Sequence, residues 1–209
     1  MDFDSLTKAS ALRSTLRALD DDNKIGDRVL DIGSGPLPVS TFLLRKKTSR
    51  KIVNMDVADF GDDPRGNLNL RYNVNNADDP NAYSTKKTIF TAAQHFGVDL
   101  SLSQGTEQVD TMIFSELLNY VDFRSVLSSY ARYLKAGGRF IILNKPGHHP
   151  RNKADLLHPK GVQNNAELID FLQNDFVIEQ KTFPFRREEG LDDARSEGDA
   201  MMLLVARKK

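Results

Sequence analysis

The stretch Val29-Leu30-Asp31-Ile32-Gly33-Ser34-Gly35-Pro36-Leu37 joins an apolar run, carrying one acid, to two closely spaced glycines. The run has the composition of a buried strand, and the glycines mark a tight turn leading into a helix. Such a turn brings backbone N–H groups near a ligand, and glycine leaves no Cβ in the way. The chain is therefore expected to be an α/β protein whose ligand lies at this turn. A dinucleotide-binding turn would follow G-x-G-x-x-G with a pyrophosphate over the helix N-terminus, but the third glycine position is Pro38. That disfavours a pyrophosphate. Anionic Asp31 instead suits a ligand carrying positive charge, such as S-adenosylmethionine (SAM), with its ammonium and sulfonium.

These residues resemble the first motif of the class I SAM-dependent methyltransferases, hydrophobic-hydrophobic-Asp-x-Gly-x-Gly. The Gly33-Ser34-Gly35-Pro36 form is found in some small-molecule members, and Leu37 stands where many members carry a third glycine. The resemblance implies a Rossmann-like, doubly wound, seven-stranded α/β sheet, mostly parallel with an antiparallel C-terminal edge hairpin. It also implies that Asp31, Gly33, Ser34 and Gly35 hold the methionine end of SAM.

The 209 residues fit one domain, long enough to bury a substantial core. Lysine plus arginine and aspartate plus glutamate each number 29, so no long-range field favours nucleic acid or an anionic membrane. The absence of cysteine excludes disulfides and thiolate metal sites. The chain starts Met-Asp-Phe-Asp, without a basic and then apolar leader, and contains no apolar run of membrane-spanning length. A soluble, cytoplasmic protein is expected, and a homodimer is compatible with this reading.

Leu6, Ala9, Leu12, Leu16 and Leu19 recur at helical spacing, predicting an amphipathic helix over residues 4–20, with Phe3 and Leu6 candidates for a lid. Strands are expected at 28–32, 51–56, 68–74, 109–114 and 139–143, then at 176–185 and 201–206. Helices are expected at 39–47, 81–96, 122–135 and 165–174. Residues 78–108 exceed an ordinary connection and read as an insertion near the site. The alternation of strand and helix argues for a parallel sheet, and the last two strands for an antiparallel hairpin.

Asp56 ends the second expected strand, about 25 residues beyond Asp31, where an acid can accept hydrogen bonds from both ribose hydroxyls. A turn-initiating Asp is the plain alternative. In the family resembled, this acid holds the ribose, and the neighbours corresponding to Met55 and Val57 flank adenine. Asn73, Asn75 and Asn76 follow the third strand, where relatives place an acceptor for the adenine amino group. Asn75 is the candidate, against the general abundance of Asn in turns.

Ser115-Glu116-Leu117-Leu118-Asn119-Tyr120 follows the fourth strand, at the carboxyl end where open α/β sheets bind ligands. The segment 109–143 closely resembles the family's fourth-to-fifth-strand connection, which implies that Ser115 and Glu116 touch cofactor or substrate. Tyr120 either lines the acceptor pocket or packs at a helix start. His148, His149 and His158 fall after the fifth strand, and His149 and His158 are the candidate proton acceptors, weighed against an ordinary solvent-facing loop.

Neither an Asn/Asp-Pro-Pro-Tyr/Phe motif after the fourth strand nor an Asp-Asn pair after the fifth is present, so base amino-methylation and metal-assisted catechol chemistry are not expected; no catalytic metal is expected. The basic cluster Arg45, Lys46, Lys47, Arg50 and Lys51 reads as a solvated face rather than a nucleic-acid patch. The expected activity is metal-independent methyl transfer from SAM to a small-molecule acceptor at oxygen or nitrogen, leaving S-adenosylhomocysteine. Methylation of RNA or protein, a SAM-binding sensor or partner subunit without turnover, and NAD-linked redox chemistry remain the alternatives.

Overall fold

The computed structural model describes residues 3–34, 49–56, 68–71, 91–92, 94–97, 109–148, 152, 154–183 and 200–209, with the side chains of 3–11 and 69–71 outside the description. Its elements in chain order are α1 (Phe3–Asp21), β1 (Arg28–Ile32), β2 (Lys51–Asp56), β3 (Leu68–Arg71), β4 (Val109–Ser115), α2 (Phe123–Ala131), β5 (Leu134–Asn144), a short 3-10 turn (Ala154–Leu156), α3 (Asn165–Gln173), β6 (Phe176–Thr182) and β7 (Met202–Lys208). The strands form one sheet in the order β3-β2-β1-β4-β5-β7-β6. All pairings from β3 to β5 are parallel, and β7 runs antiparallel to both β5 and β6. This is the expected mostly parallel sheet with an antiparallel edge.

Alternation along the strands divides the buried side chains between two cores, because successive residues point to opposite faces. Val29, Ile52, Ile113, Ile141, Leu143, Leu203 and Val205 meet Leu12, Leu16 and Leu19 of α1 on one face. Leu30, Ile32, Val53, Met55, Met112, Phe114 and Phe140 meet Phe123, Leu127 and Tyr130 of α2, and Leu168 and Leu172 of α3, on the other. A sheet buried on both faces explains why the central stretches Met112-Ile113-Phe114 of β4 and Phe140-Ile141-Ile142-Leu143 of β5 are continuously apolar. The helix starts are fixed by side chains: Asp122 accepts from the Ser125 N–H, and Asn164 with Glu167 forms a reciprocal capping box.

Two expectations are corrected. The helix expected over 122–135 ends at Ala131, and residues 134–138 belong to β5, because Val109 of β4 pairs with Leu134 before a register shift. Arg50, read as part of a solvated basic face, is 2% exposed: its guanidinium bonds Asp20 at 2.6 Å and the carbonyls of Ile25 and Gly26. It anchors the end of α1 to the start of β2. Lys51 beside it is exposed and donates to the His95 carbonyl.

The helix expected at 39–47 lies outside the described residues. Within the expected insertion, residues 91–92 and 94–96 are helical, with Ala92 and Phe96 in the larger core. No helix among the described residues is long and apolar enough to cross a membrane.

Candidate functional site at the carboxyl edge of the sheet

Neighbours of β1 lie on both sides, β2 on one and β4 on the other, so the chain changes direction across the sheet here. The crevice beyond the carboxyl ends at such a switch point is the ligand position of open α/β sheets. Along these strands the backbone emerges from the core together: Ile32, Met55 and Phe114 are buried, while Gly33, Ser34, Asp56, Ser115 and Glu116 are half-buried. The half-buried residues are the polar or small ones.

Gly33 is the joint between the three strand ends. Its φ of 73° lies in the left-handed region, which glycine enters without the Cβ clash of other residues. In that conformation its N–H donates to the Met55 carbonyl at 2.8 Å, and the Ser34 N–H donates to the same oxygen at 3.1 Å. The Ser34 hydroxyl reaches it as well, at 3.4 Å. On the other side, a Cβ on Gly33 would lie 3.4 Å from the Leu117 Cβ and 3.5 Å from the Ser115 carbonyl. The N–H groups of Gly33 and Ser34 are thus committed to β2 and not turned toward a ligand.

Asp31 and Asp56 lie on one face of the sheet. Asp31 pairs in register with Asn54, both are 2% exposed, and Asp56 continues the same face two residues on. Asp31 is not without a polar or electrostatic partner, as a buried carboxylate requires, and is withdrawn from the surface. Asp56 is the half-buried acid at the strand end. Met55, expected beside adenine, is 1% exposed with its side chain in the larger core, and its carbonyl is the shared acceptor of the glycine turn. Gly35, Val57, Asn75 and His149 lie outside the described residues.

After β4, Glu116 is a non-glycine residue with φ of 53°. Its N–H bonds the Leu143 carbonyl at 2.8 Å, and its carboxylate pairs with Lys145 at 2.5 Å. Asn119 is fully buried and donates to Asn152 at 2.6 Å; Asn152 in turn donates to the carbonyls of Pro146 and Gly147. Tyr120 is half-buried with its hydroxyl 3.5 Å from the same Asn152 oxygen. The segments after β4 and β5 are stitched further by the His158 N–H to the Asn119 carbonyl and by Val162 N–H to Leu118. Gly161 permits this approach, since a Cβ there would lie 2.3 Å from the Asn119 oxygen.

His158 is half-buried in this second segment, and its Nδ1 accepts from the Lys160 N–H at 3.1 Å. In the neutral ring that bond places the proton on Nε2, making the free side of the imidazole a donor. His148 is exposed. Lys145, Asn119 and Asn152 are not among the residues that the sequence pattern marks; Lys145 stands directly after β5, and Asn119 and Asn152 carry no distinguishing spacing. Among the described residues, no group of three or more His, Cys, Asp or Glu side chains is arranged to hold a metal.

No protein-family model matches the sequence, and no curated protein matches it. Solved structures do resemble the fold. The Burkholderia thailandensis 1,6-didemethyltoxoflavin-N1-methyltransferase, with 1,6-didemethyltoxoflavin and S-adenosylhomocysteine bound, aligns with a TM-score of 0.58 at 18% identity over 99% of this chain and 81% of its own. Geranyl diphosphate C-methyltransferase from Streptomyces coelicolor A3(2) gives 0.55 at 13% identity, over 96% and 76%. Magnesium protoporphyrin IX methyltransferase from Synechocystis PCC 6803, with SAM bound, gives 0.54 at 15% identity, over 98% and 81%. The chain therefore has the class I methyltransferase fold.

Proposed function

We propose that this chain is a SAM-dependent methyltransferase acting on a small-molecule acceptor at oxygen or nitrogen. The observation that carries the reading is the bonding of the Gly33–Ser34 turn to the Met55 carbonyl, one residue before Asp56. It brings the glycine turn and the strand-end acid to one edge of the sheet, and the two carboxylates, Asp31 and Asp56, are acceptors that fit a ligand with hydroxyl groups at one end and positive charge at the other. The structural neighbours with SAM or S-adenosylhomocysteine bound support it.

In this reading Asp56 accepts from the ribose hydroxyls, and Val57, Asn75 and the backbone at Met55 border the adenine. Gly33, Ser34 and Gly35 border the methionine end, with Asp31 beneath them as a negative charge facing the ammonium. Ser115 and Glu116 lie at the reacting end, and Tyr120, His149 and His158 belong to the acceptor side. When bound, SAM supplies a methyl group already activated on a sulfonium. The protein's own contribution is alignment and exclusion of water, which hold the nucleophile in line with the carbon–sulfur bond. No metal is needed for that displacement.

The test is a titration with SAM followed by incubation with a panel of phenols, carboxylic acids and N-heterocycles. Formation of S-adenosylhomocysteine with any of them, undiminished by EDTA, supports the reading. SAM binding with no product across the panel favours a non-catalytic binding protein, and tight, salt-sensitive binding of bulk RNA would favour a macromolecular acceptor.

A further inference from the structure

We infer that the chain following β5 stands as a preformed wall against the chain following β4, with Asn152 as the latch between them, and does not close over a ligand as a lid. Naming this wall the acceptor side rests on the methyl-transfer reading above; the latch itself does not. The Asn152 Oδ1 accepts from the Asn119 Nδ2 at 2.6 Å and lies 3.5 Å from the Tyr120 hydroxyl. Its Nδ2 donates to the Pro146 carbonyl at 2.7 Å and to the Gly147 carbonyl at 2.9 Å. An amide oxygen has two lone pairs and an amide nitrogen two hydrogens, so all four positions are used. One side chain thereby ties the residues just beyond β5 to those just beyond β4.

Backbone bonds join the same two segments farther along. The His158 N–H donates to the Asn119 carbonyl at 3.1 Å, the Val162 N–H to the Leu118 carbonyl at 3.1 Å, and the Phe123 N–H, at the start of α2, to the Lys160 carbonyl at 3.3 Å. The Gly147 N–H reaches the Gln163 carbonyl at 2.9 Å, so the two ends of the segment meet, as in an Ω-type loop. The packing leaves no room for added atoms: a Cβ on Gly161 would collide with the Asn119 carbonyl, and one on Gly147 would lie 2.5 Å from the Gln163 Oε1.

Lids are drawn from parts of a fold with few buried contacts and exposed backbone bonds. Here the amides of His158 and Val162 end on the carbonyls of Asn119 and Leu118, both of which are fully buried. These bonds involve protein groups alone, so the segment is ordered on folding and ligand binding beside it does not carry that entropy cost. An acceptor then meets a standing surface bearing Tyr120 and His158, and is selected by fit to it rather than by movement of this segment.

The test is amide hydrogen exchange, resolved residue by residue, on the full chain with and without saturating S-adenosylhomocysteine. The amides of Gly147, His158 and Val162 are expected to be protected in the ligand-free protein and unchanged by the ligand. Asn152→Ala should speed their exchange by about tenfold or more, the scale of several lost hydrogen bonds, while Leu204, between β5 and β6 in the sheet, keeps its wild-type rate. Gly161→Ala, which forces a Cβ against Asn119, should speed exchange at His158 and Val162 by a separate route, and it decides the matter should Asn152→Ala fail to fold. Rapid exchange in the ligand-free protein with protection gained on adding S-adenosylhomocysteine, or wild-type protection retained in both variants, would overturn the inference. Failure of S-adenosylhomocysteine to bind in calorimetry would instead strike the cofactor reading, and the ligand-free comparison of wild type with the two variants would still decide the latch.

Discussion

The Gly33 amide donates to the Met55 carbonyl across 2.8 Å, joining the turn after β1 to the end of β2 at a backbone conformation of φ 73°. Replacing Gly33 by Ala puts a Cβ into the left-handed region and 3.4 Å from the Leu117 Cβ. The conformational cost is about 1–2 kcal/mol. The Gly33→Ala variant should show that loss in urea denaturation, together with weakened binding of S-adenosylhomocysteine. Unchanged stability and affinity would mean that the turn does not need this geometry.

The Arg50–Asp20 pair is internal, with side-chain exposures of 0% and 2%. Removing one partner strands the other charge, at a cost of about 3–5 kcal/mol. Asp20→Ala should therefore destabilise far more than the exposed Asp22→Ala, whose Lys24 partner lies at the surface. Equal midpoints for the two variants in denaturant would contradict the assignment of Arg50 as an anchor.

Features set by near neighbours in sequence were legible beforehand. The run from Val29 to Gly33 and the acid at Asp56 carry the strand, turn and strand-end pattern within about 25 residues of one another. The spacing of Leu12, Leu16 and Leu19 likewise announced the face of α1. What escaped depends on register between distant strands. Arg50 looks like any member of a basic cluster until β2 is placed beside Gly26, and Lys145 acquires its partner only when β4 and β5 align. Met55 falls on the inner face by strand alternation, so adjacency to Asp56 in the chain says nothing about adjacency in the cleft.

The last residues illustrate the same point. Neither α2 nor α3 has a basic side chain in its last turn, yet the C-terminal lysines supply the missing cations from β7 and its end. Lys208 donates to the carbonyls of Ala131 and Leu134, and Lys209 to those of Gln173 and Asn174. A cation at a helix C-terminus contributes about 0.3–1 kcal/mol, and up to ~2 kcal/mol where partly buried. Lys208→Met should lower stability toward the upper end of that range, and Lys209→Met toward the lower; the reverse order in urea midpoints would refute the capping roles.

Glu179 lies at the register shift of β6, between Arg139 at 2.7 Å and Arg207 at 2.9 Å. Burial pushes its carboxyl up, but the hydrogen bonds and charge of the two arginines outweigh it and hold the group below its ordinary value. A depressed carboxylate contributes stability above its unfolded-state value and loses it as pH falls through the folded one. Denaturation midpoints of wild type and Glu179→Gln should therefore differ most at neutral pH and converge as pH falls below the ordinary carboxylate range. A gap constant with pH would contradict this.

The central claim is that the half-buried acid closing β2 grips the ribose of an adenosyl ligand beside the glycine turn. Calorimetric titration of S-adenosylhomocysteine into wild type and Asp56→Ala tests it most directly. The account predicts saturable binding to wild type and an affinity at least about tenfold lower for the variant, matching the loss of hydrogen bonds to a charged group, with the thermal midpoint preserved. No binding by wild type at millimolar ligand, or equal affinity in the two proteins, would contradict it.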